Sequence, residues 1–251
     1  MIISTMKIDS MVLNHPVEVK IAMPCSIMNV GKRFSVIFAL HSSLSDADLF
    51  FNRLNIAEYS EKYKFILVAP SLQNSFFVNS HLGDYADFLD VELYPMMCKL
   101  LPIKESINDR YVLGISMGAF GALHWYKRHP EYFTKAFLIS GYYDINLDYH
   151  KDLPKQRKSF ALSKTINPIL KGIIDSRAEY SLNEQFFCKS DLKSLKLNLF
   201  YGKNDLLTVH QNEALYKICS DANISVTVNP VEGEHDITAF KNAIEKTMQM
   251  L

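Results

Sequence analysis

The chain lacks several features that mark large classes of protein. Its four cysteines, at positions 25, 98, 188 and 219, are widely spaced and form no C-x-x-C pair, so we expect neither a zinc site nor a redox motif. Free thiols in a reducing compartment are the simplest interpretation, and they favour a cytoplasmic location. Lys+Arg and Asp+Glu both number 27, and no basic stripe stands out. We therefore expect no nucleic-acid partner.

Long hydrophobic runs are also missing. No uncharged apolar stretch approaches the length that crosses a bilayer, and the first ten residues already include Lys7 and Asp9. We therefore expect no secretion signal, no membrane anchor and no membrane partner. The even charge balance leaves self-association into a homo-oligomer open.

Glycine is scarce, and its placement is informative. The chain has nine glycines in 251 residues, and five of them fall at only three points of the sequence. These five are Gly114, Gly118, Gly121, Gly202 and Gly233. Such clustering suits tight loops around a site.

The first of these points is a G-x-S-x-G pattern. Ser116 stands between Gly114 and Gly118, directly after a short apolar run and before a helix-like run. This arrangement is typical of a nucleophile elbow, in which the chain turns sharply from strand to helix and exposes the serine hydroxyl. A Cβ on the flanking residues would obstruct that turn. The alternative interpretation is a glycine-rich packing turn without chemistry.

Short β-branched or aromatic runs alternate with longer helical patterns along the chain. This order predicts an α/β fold with a mostly parallel twisted sheet and helices on both faces. An N-terminal antiparallel hairpin is predicted from residues 4–13 and 17–21, with its turn at 14–16. Six buried strands are predicted at 34–40, 65–69, 111–113, 136–139, 195–201 and 224–228. Helices are predicted at 46–62, 84–100, 119–128, 210–219 and 237–250.

One segment interrupts this alternation. Residues of about 145–190 show no convincing strand and contain Pro154 and Pro168. We interpret the segment as a helical insertion in a single domain of residues 1–251. It could cover the ligand crevice as a lid, or it could be a peripheral decoration.

A serine hydroxyl needs a base that takes its proton and a third group that orients the base. Asp205 follows the predicted strand 195–201, and His235 follows the strand 224–228. The order Ser, Asp, His is that of the α/β-hydrolase catalytic triad. Asp144 is a competing acid after the strand 136–139, whereas Asp236 is interpreted as a solvated or loop-capping carboxylate.

The negative oxygen of a tetrahedral intermediate needs backbone N–H donors. The amide of Met117, directly after the serine, is one predicted donor. The second normally comes from the loop after an early strand, here the loop after 34–40, where we choose the amide of Ser43.

Several stretches resemble a known family. They are residues 114–123 (GISMGAFGAL), 128–133 (RHPEYF), 38–43 (FALHSS) and 201–205 (YGKND). On these the chain resembles the esterase D and tributyrin esterase group of α/β hydrolases, which is related to S-formylglutathione hydrolase. The resemblance implies an α/β-hydrolase fold and carboxylic ester hydrolysis without a metal or organic cofactor. It also assigns the nucleophile, acid and base to Ser116, Asp205 and His235.

Two residues depart from the family pattern. Ser42 stands where His-Gly is usual, and Ile237 follows the His235-Asp236 pair where related esterases often have tryptophan. Both departures bear on substrate preference.

The substrate is predicted only in outline. Four aromatic or imidazole side chains are expected around the serine and could form a small acyl pocket: His41, Phe76, Phe77 and Tyr142. These side chains could instead pack the core. By resemblance we expect a small-molecule ester with a short acyl chain, acetyl to butyryl. A thioesterase of the S-formylglutathione hydrolase type and a catalytically silent binding protein of the same fold are the alternatives.

Overall fold

The structure is a computed structural model. It describes residues 1–143, 182, 187, 192 and 194–251. The predicted insertion at about 145–190 therefore lies outside the described residues, apart from Leu182 and Phe187, and so does the alternative acid Asp144.

The centre of the described structure is an eight-stranded sheet. Its strands are β1 (Ile2–Ser10), β2 (His15–Met23), β3 (Ser35–Leu40), β4 (Phe65–Pro70), β7 (Arg110–Ile115), β8 (Lys135–Ile139), β9 (Lys196–Gly202) and β10 (Ser225–Val231), while β5 (Asn79–Ser80) and β6 (Gly83–Asp84) form a separate small hairpin. The strand order in the large sheet is β1-β2-β4-β3-β7-β8-β9-β10. The β1–β2 and β2–β4 pairs are antiparallel and all later pairs are parallel. The predicted α/β-hydrolase fold class is confirmed.

The N-terminal hairpin is present, but its turn differs from the prediction. Strands β1 and β2 pair from Ile2 opposite Met23 to Ser10 opposite His15, so the turn lies at 11–14 rather than at 14–16. Pro16 therefore belongs to β2. Strand β2 begins to pair with β4 only at Val19, so the missing N–H of Pro16 costs no hydrogen bond on that side.

The helices differ from the prediction mainly where a predicted helix is interrupted. They are α1 (Ile56–Tyr63), α2 (Tyr85–Asp87), α3 (Tyr94–Leu100), α4 (Met117–Arg128), α5 (Val209–Asp221) and α6 (Ile237–Met248), with π-helical segments at Leu49–Arg53 and Phe88–Leu93 and short 3-10 helices at Cys25–Met28 and Ile107–Asp109. The helix predicted at 46–62 is interrupted at Asn55, whose φ of 53° belongs to the left-handed region. A residue in that conformation cannot continue a right-handed helix.

The central strands of the sheet are buried on both faces. Along β3, Val36, Phe38 and Leu40 belong to one core cluster, whereas Ile37 and Ala39 belong to the other. Residues of α3, α4 and α5 contribute to the first cluster, and residues of α1 and α6 to the second. This explains why the central strands read as continuous apolar runs. Within the described ranges, no helix is both long enough and apolar enough to cross a membrane.

The parallel strands determine where the polar loops meet. Strands β3, β7, β9 and β10 run in the same direction, so the loops that follow them emerge at one edge of the sheet. In open α/β sheets this carboxyl edge is where ligands bind.

Candidate active site

Ser116 occupies a strained turn between β7 and α4. Its φ is 54° and its ψ is −113°, and α4 begins at the next residue. A non-glycine residue held at such a positive φ costs about 1–3 kcal/mol, so the surroundings must stabilise it. The Ser116 amide donates to the carbonyl of Ile139 at 2.8 Å, and its carbonyl accepts from the amide of Ala119 at 3.0 Å.

The two glycines of the G-x-S-x-G pattern permit close backbone approach. A Cβ on Gly118 would lie 1.9 Å from the carbonyl oxygen of Leu40, at the end of β3. A Cβ on Gly114 would lie 2.0 Å from the carbonyl oxygen of Gly118. Only glycine fits at both positions without moving the backbone, so the pattern brings β3, β7 and the start of α4 together.

The side chains of Ser116, His235 and Asp205 form a continuous hydrogen-bonded chain. His235 Nε2 lies 3.0 Å from Ser116 Oγ, and His235 Nδ1 lies 2.8 Å from Asp205 Oδ2. An ionised carboxylate only accepts hydrogen bonds, so Nδ1 carries the proton of the neutral imidazole. Nε2 is then the acceptor that faces the serine hydroxyl. The structure thus brings together the three residues that the sequence order singled out.

Asp205 is fully buried, with 0% of its surface exposed, yet four donors serve its carboxylate. Oδ2 accepts from His235 Nδ1 and from the Thr208 hydroxyl at 2.5 Å, while Oδ1 accepts from the amides of Leu207 at 3.1 Å and Thr208 at 3.0 Å. Burial acts to raise the pKa of Asp205, but the hydrogen bonds and electrostatic attraction from His235, together with the hydrogen bonds from Thr208, outweigh it and lower that pKa below its ordinary value. The carboxylate therefore stays ionised at neutral pH.

The loops that carry the acid and the base pack against each other through their backbones. A Cβ on Gly202 would lie 2.5 Å from the carbonyl oxygens of Gly233 and Glu234. The amide of Asn204 also donates to the carbonyl of Gly233 at 3.1 Å. These contacts fix the distance between the β9 and β10 loops, and with it the distance from Asp205 to His235.

Helix α6 holds the base from the other side. Asp236 is the N-cap of α6, and its Oδ1 accepts from the amide of Ala239 at 2.9 Å. The expected loop-capping role of Asp236 is confirmed. The ring of His235 meets the ring of Phe240 edge-on, with centroids 5.3 Å apart. The imidazole therefore has a packed neighbour as well as two hydrogen-bond partners.

The two predicted oxyanion donors lie near the nucleophile in the fold. Met117 is the first residue of α4, and Ser43 belongs to the loop after β3 that passes Gly118. Neither amide donates a hydrogen bond to another described residue. Their role as oxyanion donors stays a prediction.

His41 has structural contacts on both ring nitrogens. Its Nδ1 donates to the carbonyl of Ser42 at 2.8 Å, and its Nε2 accepts from the amide of Leu72 at 3.0 Å. The ring is 0% exposed and packs edge-on against Phe77, with centroids 5.4 Å apart. Burial lowers the pKa of His41, so the imidazole is neutral. His41 thus ties the loop after β3 to the loop after β4.

The other predicted substrate contacts are also buried. Phe76, Phe77 and Tyr142 are 2%, 0% and 2% exposed. Phe76 packs against Phe120 at 5.5 Å between ring centroids, and the amide of Tyr142 approaches the carbonyl of Ser116 at 3.5 Å. These side chains pack around the site within the core, and substrate contact by any of them, or by His41, stays a prediction.

Sequence reasoning overlooked Thr208. Its side chain contacts Asp205, three residues earlier, across the turn that opens α5. The Asp-x-x-Thr spacing directly before a helix was an available signal. A threonine at that position is ordinarily interpreted as a helix cap, which concealed it. In the described ranges, no group of three or more His, Cys, Asp or Glu residues is placed to hold a metal ion.

Comparison with known proteins agrees with this geometry. Residues 10–249 match the family model "Putative esterase". The chain belongs to the Esterase family. This confirms the family resemblance at that level, and the protein is a serine hydrolase that acts on carboxylic esters.

Individual relatives of this esterase are distant in sequence. An acetyl esterase of Caldicellulosiruptor saccharolyticus is 23% identical over 185 residues, which span 72% of this chain and 69% of the relative. Among solved structures, the fluorophosphonate-binding serine hydrolase FphF of Staphylococcus aureus superposes with a TM-score of 0.82 at 20% identity, covering 99% of this chain and 97% of that one. The S-formylglutathione hydrolase FrmB of the same organism superposes with a TM-score of 0.75 at 18% identity, covering 100% and 99%. These structural likenesses confirm the fold.

Proposed function

We propose that this esterase hydrolyses small esters of short acyl chains, acetyl to butyryl, through an acyl-enzyme on Ser116. The observation that carries the proposal is the unbroken chain of hydrogen bonds from the serine through His235 to Asp205. A nucleophile, a base and an orienting acid in mutual contact are the requirements of covalent acyl transfer.

The first half of the reaction forms the acyl-enzyme. As Ser116 Oγ attacks the ester carbonyl, His235 Nε2 takes the hydroxyl proton, and buried Asp205 stabilises the imidazolium that results. The tetrahedral intermediate then collapses, and Nε2 gives its proton to the departing alcohol. In the second half, water attacks the acyl group with the same base, which releases the carboxylic acid and restores the serine.

The developing negative oxygen needs donors that are already in place. The amides of Met117 and Ser43 are the proposed pair. The Met117 amide is at the N-terminus of α4, where the helix dipole also favours negative charge. Each such donor typically contributes about 10²–10³ in rate.

One observation supports a short acyl chain. The curated relative is an acetyl esterase, and its printed name agrees with the smallest acyl group in the proposed range. A cytoplasmic location and a homo-oligomeric state stay predictions.

A substrate panel tests the proposal. We expect kcat/KM to be highest on p-nitrophenyl acetate or butyrate and to fall at least about tenfold on the octanoate, because a methylene that does not fit costs about 1–3 kcal/mol. Including S-formylglutathione in the panel separates esterase from thioesterase action. A preference for octanoate, or for the thioester over acetate, would contradict the proposed substrate class.

A further inference from the structure

Thr208 and the active-site base, His235, donate hydrogen bonds to the same carboxylate oxygen of Asp205. The Thr208 hydroxyl donates to Asp205 Oδ2 at 2.5 Å, and the same oxygen accepts from His235 Nδ1 at 2.8 Å. Thr208 is 0% exposed, so water does not compete for the hydroxyl. A hydrogen bond to a buried charged group is among the strongest that a neutral side chain makes.

The position of Thr208 in the chain shows that this contact replaces another. Thr208 is the N-cap residue of α5, where a threonine ordinarily accepts a hydrogen bond from an amide two or three residues later. It makes no such bond. Asp236, the N-cap of α6, does make it, to the amide of Ala239. Of these two helix starts, only the one beside the acid directs its side chain into the site.

The backbone of Thr208 is itself fixed. Its carbonyl accepts from the Asn212 amide at 3.0 Å and from Asn212 Nδ2 at 2.8 Å. Asn212 Nδ2 also donates to the carbonyl of Gly141, just after β8, at 3.2 Å. Asn212 is 0% exposed. The hydroxyl therefore points at the carboxylate from a rigid support rather than from a mobile loop.

We propose that Thr208 is a positioning residue, which acts through Asp205 to set both the orientation and the basicity of His235. The proposal rests on the proposed function of the triad. A carboxylate oxygen that already accepts a hydrogen bond from a hydroxyl carries less negative charge and stabilises an imidazolium less. The Thr208 hydroxyl therefore makes protonation of His235 less favourable. It also prevents the carboxylate from rotating away from Nδ1.

The test compares Thr208→Val with a matched substitution elsewhere. Thr247 is also 0% exposed, and its hydroxyl donates to the carbonyl of Ala243 at 2.9 Å within α6, so Thr247→Val removes a buried hydroxyl of the same type. We expect Thr208→Val to lower kcat about tenfold with little change in KM. We also expect it to move the acidic limb of the kcat/KM profile to higher pH. Thr208→Ser should restore both, and Thr247→Val should leave both unchanged.

A second readout is independent of turnover. The titration of the His235 ring, followed by NMR in the wild type and in Thr208→Val, should show protonation at higher pH in the variant. If Thr208→Val does not fold, Thr208→Ala provides the same comparison. A variant whose kcat, pH profile and His235 titration all match the wild type would overturn the inference, and so would equal changes in Thr247→Val. Failure of the wild-type protein to hydrolyse any ester would overturn the proposed function instead, and the NMR titration would still decide the role of Thr208.

Discussion

His41 and His235 lie at the same edge of the sheet, after β3 and β10, but their nitrogens have different partners. Both nitrogens of His235 meet side chains, the Ser116 hydroxyl and the Asp205 carboxylate. Both nitrogens of His41 meet the backbone, at Ser42 and Leu72. The side chain of His235 is 23% exposed, whereas His41 is 0% exposed. The hydrogen-bond partners of the ring, rather than the residue type or its place in the sheet, distinguish a histidine that transfers a proton from one that stabilises the fold.

The two environments also differ in what protonation would cost. A proton on His235 Nε2 comes from the serine hydroxyl, and the adjacent carboxylate stabilises the resulting charge. A proton on His41 would break the hydrogen bond from the Leu72 amide and place a charge in a site where the cost of burial outweighs the attraction of Asp46. Four predictions test this contrast, in order of decreasing effect.

The largest effect is expected for His235→Ala. Loss of the base should lower kcat by about 10⁶-fold, the size found for removal of a triad histidine. The unfolding free energy should also fall, by about 1–3 kcal/mol, because buried Asp205 loses one of its hydrogen-bond donors. Ester hydrolysis and urea unfolding measure the two quantities. His210→Ala is the control, since that side chain is 73% exposed and should affect neither. A His235→Ala variant with wild-type activity would show that His235 is not the catalytic base.

Asp205→Asn should have the next largest effect. An amide side chain no longer requires Nδ1 to carry the proton, so the imidazole is free to adopt the tautomer that cannot accept from Ser116. We expect kcat to fall by about 10⁴-fold with KM little changed. Steady-state kinetics on p-nitrophenyl acetate provide the measurement. A loss below tenfold would show that another acid orients the base.

His41→Ala should act on stability rather than on chemistry. The substitution leaves the Ser42 carbonyl and the Leu72 amide without their partner and opens a cavity beside Phe77. Each unsatisfied buried group costs about 1–3 kcal/mol, so we expect the unfolding free energy to fall by about 3 kcal/mol or more. Urea unfolding checks this. An unchanged urea midpoint of unfolding would show that His41 does not stabilise the contact between the loops after β3 and β4.

The smallest effect is a pH dependence of stability. Burial lowers the pKa of His41 below its ordinary value of 6.5, so the unfolded chain takes up a proton near that pH and the folded chain does not. The folded state therefore loses stability as pH falls below about 6.5. The pKa of Asp205 is also lowered, but its contribution is lost only as pH falls below about 4.

Burial also lowers the pKa of His124, so His41 is isolated between about pH 7.5 and 5.5 only by comparison with a variant at position 41. We expect the stability advantage of the wild type over His41→Gln to shrink by about 1 kcal/mol across this window, because the glutamine side chain does not titrate. Other buried groups are common to both proteins and cancel in the difference. A constant difference would show that His41 is not held neutral by its surroundings.

The sequence was most informative about features that depend on residues close together in the chain. The continuous apolar run along β3 and the glycines around Ser116 predicted the strand, the turn and the helix, because these features depend on neighbouring residues. The order of Asp205 and His235 after their strands predicted the edge of the sheet at which they meet.

Contacts between distant loops could not be predicted in the same way. His41 was expected around the substrate, but its burial depends on the loop that carries Leu72 and Phe77. Thr208 was missed because its hydroxyl turns back to Asp205 instead of capping its own helix. The break at Asn55 depends on one residue that adopts a left-handed conformation. Tertiary partners decide each of these, and a single sequence does not display them.

The most direct test of the central claim is covalent labelling of the nucleophile. A fluorophosphonate probe reacts with a serine only when a neighbouring base activates it. We expect intact-protein mass spectrometry to show one adduct, peptide mapping to place it on Ser116, and both Ser116→Ala and His235→Ala to remain unlabelled. An adduct on another residue, or equal labelling of Ser116→Ala, would contradict the account.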